Sequence, residues 1–398
     1  MKNGTVAFIG NFNIEQMNAA GKRIRGLADA ISDEYEIVFI GWNNQNKFTK
    51  LKRTDEGEYI AHYPLPKNIV DRLSVKKYYL FVCELLETIS NLKCIISYGT
   101  PVMASFVGRM QKWAKKRNII FISDVVDMIY RNGKGGIGDF VKYRDTKKLK
   151  EKIILDSNGI IAISSKIKEI YNSFGCENVI VVLPITKKNY KNNMVKKGTS
   201  QSIKIVYAGV PFNQVKNIST HQMKDRLDWA IEQLISVSKN SAINLSFDIY
   251  GITKEDYLYS IPKHKDLIKN NNIVRFHGKV THDVIEECIK NADFTIICRE
   301  KNLVTDAGFP TKFTESMCLG TPVITTDTSD LDRYILEGKN AVKIDYGFKN
   351  SNIEKLTQLF LDRKKISEMK QYTNDHYCFD PRLYSEDIIN LIKNVQMR

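Results

Sequence analysis

No stretch of the 398-residue chain approaches the roughly 20 consecutive apolar residues that cross a bilayer. The opening MKNGTVAFIGNF lacks both the apolar run and the small-residue cleavage pattern of a secretory leader. These absences set the expectation of a cytoplasmic protein. Cysteine is sparse and unpatterned. The seven, Cys83, Cys94, Cys176, Cys288, Cys298, Cys318 and Cys378, form no CxxC pair, so neither a zinc site nor a disulfide framework is indicated. The six histidines show no ligand spacing, and no DxD pair stands in a metal-binding context, so no metal is expected. The loop after the first strand has no GxGxxG, which removes support for a dinucleotide dehydrogenase. No nucleic-acid-binding module is recognisable.

What is abundant is positive charge, and it is uneven. The net charge is +15, and residues 1–185 carry 28 Lys+Arg against 19 Asp+Glu. Residues 187–197 add five lysines and no acid, and residues 198–398 are close to neutral, with 27 against 26. A basic first half suits an anionic partner such as membrane phospholipid or a pyrophosphate-bearing acceptor, and it equally suits a solvated surface. Residues 47–77 and 131–152 concentrate this charge among aromatic and aliphatic residues.

Short apolar runs alternate with helical patterns along both halves. Runs at 6–10, 37–41, 94–97, 119–123 and 159–164 read as strands, with a helix over 19–31 whose Ile24, Leu27, Ala28 and Ile31 share a face. The polar segment 187–201 has linker composition. The rhythm then restarts, with strands expected at 203–209, 245–251, 274–276, 294–298 and 322–325 and a helix over 225–237. Strand alternating with helix implies parallel α/β sheets. The expected organisation is a domain over 1–186, a linker over 187–201, a second domain over 202–375 and a helical tail over 376–398.

The densest signal is Asp306-Ala-Gly-Phe-Pro-Thr-Lys-Phe-Thr-Glu-Ser-Met-Cys-Leu-Gly320. Gly308 and Pro310 make a loop, Thr311 can cap a helix, and Gly320 ends it. A glycine loop feeding a helix start favours phosphate through free N–H groups and the helix dipole. Lys312 adds positive charge, and Glu315, one turn on, can accept two hydroxyl hydrogen bonds. Ligands of doubly wound sheets sit at the carboxyl ends of strands, where this loop lies.

This block resembles the donor-site signature of the group 1, retaining GT-B glycosyltransferases, of the type found in bacterial surface-polysaccharide synthesis. The likeness extends through Tyr207-Ala-Gly209, Lys224-Asp-Arg-Leu227, the run 274–280, Asn291-Ala-Asp-Phe294 and Gly338-Lys-Asn-Ala341. It implies an α/β GT-B fold, two Rossmann-like domains with a central cleft. It also implies a hexosyltransferase-like enzyme that moves a sugar from a nucleotide-diphosphate donor to a hydroxyl with retention. The resemblance admits a lipid-linked glycan as acceptor, at the inner face of the cell membrane, and implies no cofactor besides the co-substrate. By the same resemblance Lys224 neutralises the diphosphate, with Lys216 as rival. Thr311 and Lys312 lie at that diphosphate, Glu315 binds the ribose and Gly209 admits the ligand to the backbone. Gly308, Phe309 and Pro310 complete the donor loop.

Two departures stand out. Val210 follows Gly209 where the family carries a basic residue, and Arg299 is the candidate replacement. The family also pairs two glutamates eight positions apart, and Ala307 stands eight before Glu315, leaving Asp306 as the neighbouring acid. That second departure keeps open a non-catalytic GT-B-like partner subunit. In the first half, Asn11 and Gly21 belong to the expected cleft loop, Gly21 alternatively serving only the turn. Asp124 and Asp127, after a buried run, are candidates for orienting or deprotonating an acceptor hydroxyl, or for capping a turn.

Overall fold

The computed structural model describes residues 2–395 apart from 17, 67–73, 100–103, 129–136, 189–201, 213 and 241–242. Nearly all of the expected linker, and part of each basic stretch, lies outside the described residues. The chain divides into two compact units, Met1–Lys187 with Phe379–Arg398, and Lys188–Cys378.

The first unit is built on strands β1 (Thr5–Gly10), β2 (Glu36–Trp42), β3 (Lys52–Arg53), β4 (Tyr59–Tyr63), β5 (Leu92–Tyr98), β6 (Ile120–Val125), β7 (Gly159–Ala162) and β8 (Val179–Val181). They lie in the order β3-β4-β2-β1-β5-β6-β7-β8. Every pairing is parallel except that of the two-residue edge strand β3. All six residues of β1 are buried, as a central strand covered by helices on both faces requires. The helix Ala19–Ile31 forms where the apolar spacing predicts it. Its N-cap Asn18 accepts the Gly21 N–H at 3.0 Å, satisfying one of the helix's free donors. Buried Ile24, Leu27, Ala28 and Ile31 pack in one core with Val6, Phe8 and Phe39. The tail helix Ser385–Asn394 returns to this core through Ile388, Leu391 and Ile392.

The second unit carries β9 (Ile203–Ala208), β10 (Leu245–Tyr250), β11 (Val274–Gly278), β12 (Phe294–Ile297), β13 (Val323–Thr325) and β14 (Ala341–Lys343). Their order is β11-β10-β9-β12-β13-β14, all parallel. The strand order reverses between β9 and β12. That switch point is where the helices after the two strands pass to opposite faces, leaving a crevice at the carboxyl edge of the sheet. No helix among the described residues is long and apolar enough to cross a membrane.

Two local expectations are corrected. The helix expected at 225–237 is Leu227–Asn240. Asp225 and Arg226 stay in the loop because their N–H groups donate to the carbonyls of Pro211 (3.1 Å) and Cys298 (2.7 Å). The expected loop before Gly308 contains a short helix, Leu303–Ala307, whose N-cap Asn302 accepts from the N–H groups of Val304 and Thr305. The signal for it, Asn302 with Thr305 three residues on, is a capping box.

Candidate active site

The switch point of the second unit converges on Asp225. β9 ends against Gly209, and the loop beyond it folds back on itself through a bridge between buried Phe212 and Met223. That fold-back delivers the Asp225 side chain, 1 % exposed, to the sheet edge. Arg299, just past β12, donates from Nε to Asp225 Oδ1 at 2.8 Å. Lys312, in the first turn of the helix Thr311–Cys318, reaches Oδ2 at 2.5 Å. The Tyr207 hydroxyl, from β9, donates to the same oxygen at 2.8 Å, and the Lys312 ammonium lies 5.1 Å from the Tyr207 ring centroid.

Burial alone would push the Asp225 carboxyl up. The charges of Lys312 and Arg299, with their hydrogen bonds, outweigh it and hold the group well below the usual carboxylate range. Tyr207 moves the other way, raised well above its ordinary value by burial and then by the Asp225 charge. One carboxylate thus faces two cations, leaving one positive charge in excess. Arg299 is only 3 % exposed. Its Nε is committed to Asp225, through which part of its charge acts. Lys312, with 19 % of its side chain exposed, is the member of the cluster open to solvent.

Backbone glycines make room for this lysine. Gly209 has φ +139°, and a Cβ there would stand 2.5 Å from Lys312 Cε and 2.8 Å from Nζ. Behind it, Gly251 has φ +101°, and its Cβ would meet the Gly209 carbonyl oxygen at 2.5 Å. Gly209→Ala is therefore expected to cost about 1–3 kcal/mol in stability, the range for a side chain held in a sparsely populated backbone region. It should also weaken donor binding, because the new methyl displaces Lys312. A melting curve and a donor titration of the same variant check both parts.

The rest of the donor loop is fixed by packing. Pro310, not Thr311, is the N-cap, and Thr311 is the first helical residue. Phe309 is buried and meets Phe313 and Tyr334 edge-on at 6.4 and 6.0 Å, so its side chain faces the core and not a ligand. Glu315 is half-buried and follows Lys312 by three positions, which sets both on one helix face. Gly320 ends the helix at φ +74°. Gly308 has ordinary φ −88°. Ala307 is fully buried, while half-buried Asp306 accepts the Ser329 N–H at 3.1 Å. Lys224, beside the buried Asp225, is exposed, as is Lys216.

The first-unit candidates separate. Asp124, at the end of β6, is buried and bidentate to buried Arg23, at 3.2 Å to Nε and 2.8 Å to Nη2. Arg23 also donates to the carbonyls of Val182 and Leu183 at 2.5 and 2.6 Å. A carboxylate so committed holds β6, β8 and the first helix together, and the reading of Asp124 as an acceptor base gives way to that role. Asp127 is 59 % exposed and takes the Lys150 ammonium at 2.7 Å. Asn11 is exposed beyond β1. Gly21 lies inside the first helix, where a Cβ would meet the Asn13 carbonyl oxygen at 2.5 Å, so packing of its own loop demands the glycine.

Sequence reasoning missed Asp225 and Tyr207. In sequence Asp225 has the pattern of a helix start, and Tyr207 that of a strand. The available signal was an aspartate between two basic residues after a long loop, opposite Arg299 and Lys312.

The sequence model of the family described as "Glycosyl transferases group 1" matches residues 215–376. That span covers most of the second unit. The matched span contains Asp225, Arg299, Lys312 and Glu315, so the cluster lies inside the family's own domain. Whole-chain structural likeness is of the same kind. HepE of Anabaena, solved in complex with UDP, superposes with TM-score 0.64 at 11% identity, over 98% of this chain and 99% of that one. Sucrose-phosphate synthase of Thermosynechococcus elongatus gives 0.67 at 9%, over 98% of both chains. WaaG, described as a glycosyltransferase involved in lipopolysaccharide biosynthesis, gives 0.62 at 12%, over 98% and 100%. No curated protein matches in sequence. The fold is GT-B, in two parallel-sheet α/β domains.

Proposed function

We propose that the chain transfers a sugar from a nucleotide-diphosphate donor to a hydroxyl acceptor, with retention at the anomeric carbon, in the synthesis of a bacterial surface polysaccharide or glycoconjugate. The observation that carries this reading is Lys312, anchored on Asp225 beside Gly209 at the start of a helix, with Glu315 one turn on. The leaving diphosphate gains charge as the glycosidic bond breaks. A preorganised ammonium and the dipole at the helix start favour that more highly charged state. Lys224, exposed in the same loop, adds a second cation. Glu315 accepts the hydroxyls of the nucleotide ribose. The acceptor oxygen bonds to the anomeric carbon on the face from which the diphosphate departs, and the departing diphosphate takes the acceptor's proton. The UDP complex of HepE supports a nucleoside diphosphate as the ligand of this fold.

Glu315→Ala is expected to raise the donor dissociation constant about tenfold to a hundredfold, the value of hydrogen bonds to a charged group. Its melting temperature should stay near the parent's. Calorimetry against a panel of nucleotide sugars measures this. Equal affinity in parent and variant removes the ribose role. The second reading, a non-catalytic partner subunit, is favoured by buried Ala307 in place of the paired acid. Donor binding with neither transfer nor hydrolysis would select it.

The acceptor we favour is a lipid-linked glycan, met by the first unit with Asn11 and Asp127 at the carboxyl ends of β1 and β6. A basic first half supports work at an anionic cytoplasmic membrane surface. Two residues drop out of that surface, since Tyr63 is buried and Lys150 is turned in onto Asp127.

A further inference from the structure

Away from the carboxyl edge of its own sheet, the first unit holds a cavity of about 650 Å³. It lies against the helix Ala104–Lys116, at the amino end of β6 and beside the turn that leads into β7. Its floor is apolar, from Ile119, Phe121 and Ile153. Its rim is cationic, from Arg109, Lys112 and Lys115 on that helix and Lys148 at the end of the helix Ile137–Lys148. Asp156 is the one carboxylate against these four cations among the lining residues.

The spacing of the cations is informative. Arg109, Lys112 and Lys115 follow one another at intervals of three, so they share a helix face and repel along it. Like-charged neighbours one turn apart destabilise a helix. Among the described residues, Lys112, Lys115 and Lys148 enter no ion pair that would relieve it. All four cations are exposed. Lys115 also complements the dipole at the helix end, but Lys112 and Arg109 stand one and two turns earlier, beyond its reach.

The surrounding frame is rigid. The helix is tied at its start by both Asp145 oxygens, which accept the Ala104 N–H at 3.1 and 3.0 Å. Midway, Gln111 donates to the Ile153 carbonyl at 2.8 Å and the Ser157 hydroxyl at 3.1 Å. Gly108 keeps the wall low, since a Cβ there would touch Ile153 at 3.4 Å.

We infer that this cavity is a binding site for an organic phosphate, separate from the donor site. The phosphate lies among Arg109, Lys112, Lys115 and Lys148, and the organic part rests on the floor around Phe121. Two sources share that chemistry, a free phosphate ester and the headgroup of an anionic lipid.

The test uses the full chain carrying Lys312→Ala, which weakens the donor site, so that binding there cannot be mistaken for binding here. Pyrophosphate is titrated by calorimetry at low salt, and sedimentation is measured with phosphatidylglycerol and phosphatidylcholine vesicles. The same measurements are made on Lys112→Ala/Lys115→Ala, two exposed changes in a good helix former. The expected result is residual binding in the parent that weakens at least tenfold in the variant, with a melting temperature no lower than the parent's. Pyrophosphate binding identifies a free phosphate ester. Selective sedimentation with phosphatidylglycerol, without pyrophosphate binding, identifies a lipid headgroup. The inference is overturned by absence of both in the parent, or by binding that survives undiminished in the variant.

Discussion

Lys312→Ala is expected to lower turnover about 100- to 1000-fold, the effect of removing one donor from a preorganised oxyanion site. The lysine touches a leaving group whose charge peaks in the transition state, so the loss should fall on kcat more than on KM. Stability should change by less than about 2 kcal/mol, the order of one charged hydrogen bond. Asp225 keeps Arg299 and Tyr207 as partners, so no buried charge is orphaned. Steady-state kinetics and a melting curve on one preparation separate the two effects. Unchanged kcat would remove the lysine from the chemistry. Lys224→Ala and Lys216→Ala in the same assay decide which exposed lysine assists it, and only the first should slow the reaction.

Asp225→Ala should act in the opposite way, through the fold. It leaves the Arg299 guanidinium, 3 % exposed, without its anion. Breaking a buried pair from one side typically costs about 3–5 kcal/mol. Lys312 has some solvent and can turn outward, but Arg299 has almost none. Urea unfolding should show the loss, and a midpoint equal to the parent's would mean that the cluster stabilises nothing. The pH dependence has a definite sign. The folded carboxyl titrates below its ordinary value of 3.8. Its contribution is therefore complete above that value and is lost as pH falls below it toward the lower folded value. The stability gap between the parent and Asp225→Asn should be flat from neutrality to about pH 5 and should narrow in stronger acid.

Much of the scaffold was legible because buried parallel strands leave a plain trace. β1, β2, β5, β9 and β10 are runs of Val, Ile and Phe that must be covered on both faces. The first helix could be delimited from its apolar spacing, and its asparagine cap fell where that spacing put it. β3, β8 and β14 left a weaker trace, since edge strands of two or three residues bury too little to impose a period. The short helix before Gly308 was hidden by its five-residue length, too short for any apolar periodicity.

By itself the sequence determined the α/β class, the two rounds of strand and helix, and the glycine-bounded helix that carries Lys312 and Glu315. These follow from local period and turn chemistry, which neighbouring residues decide. Only the tertiary structure decided what each charged side chain does. Asp124 and Arg299 were plausible in a reactive role until their partners were known, and both proved to be buried and paired. Asp225 looked like a helix start and proved to be the anion on which Arg299 and Lys312 converge, 74 and 87 residues away along the chain. The same holds for the tail, whose apolar face matches any core in sequence but packs against the first unit. Ion pairing and burial depend on residues distant in the chain, and no local pattern encodes which of them will meet.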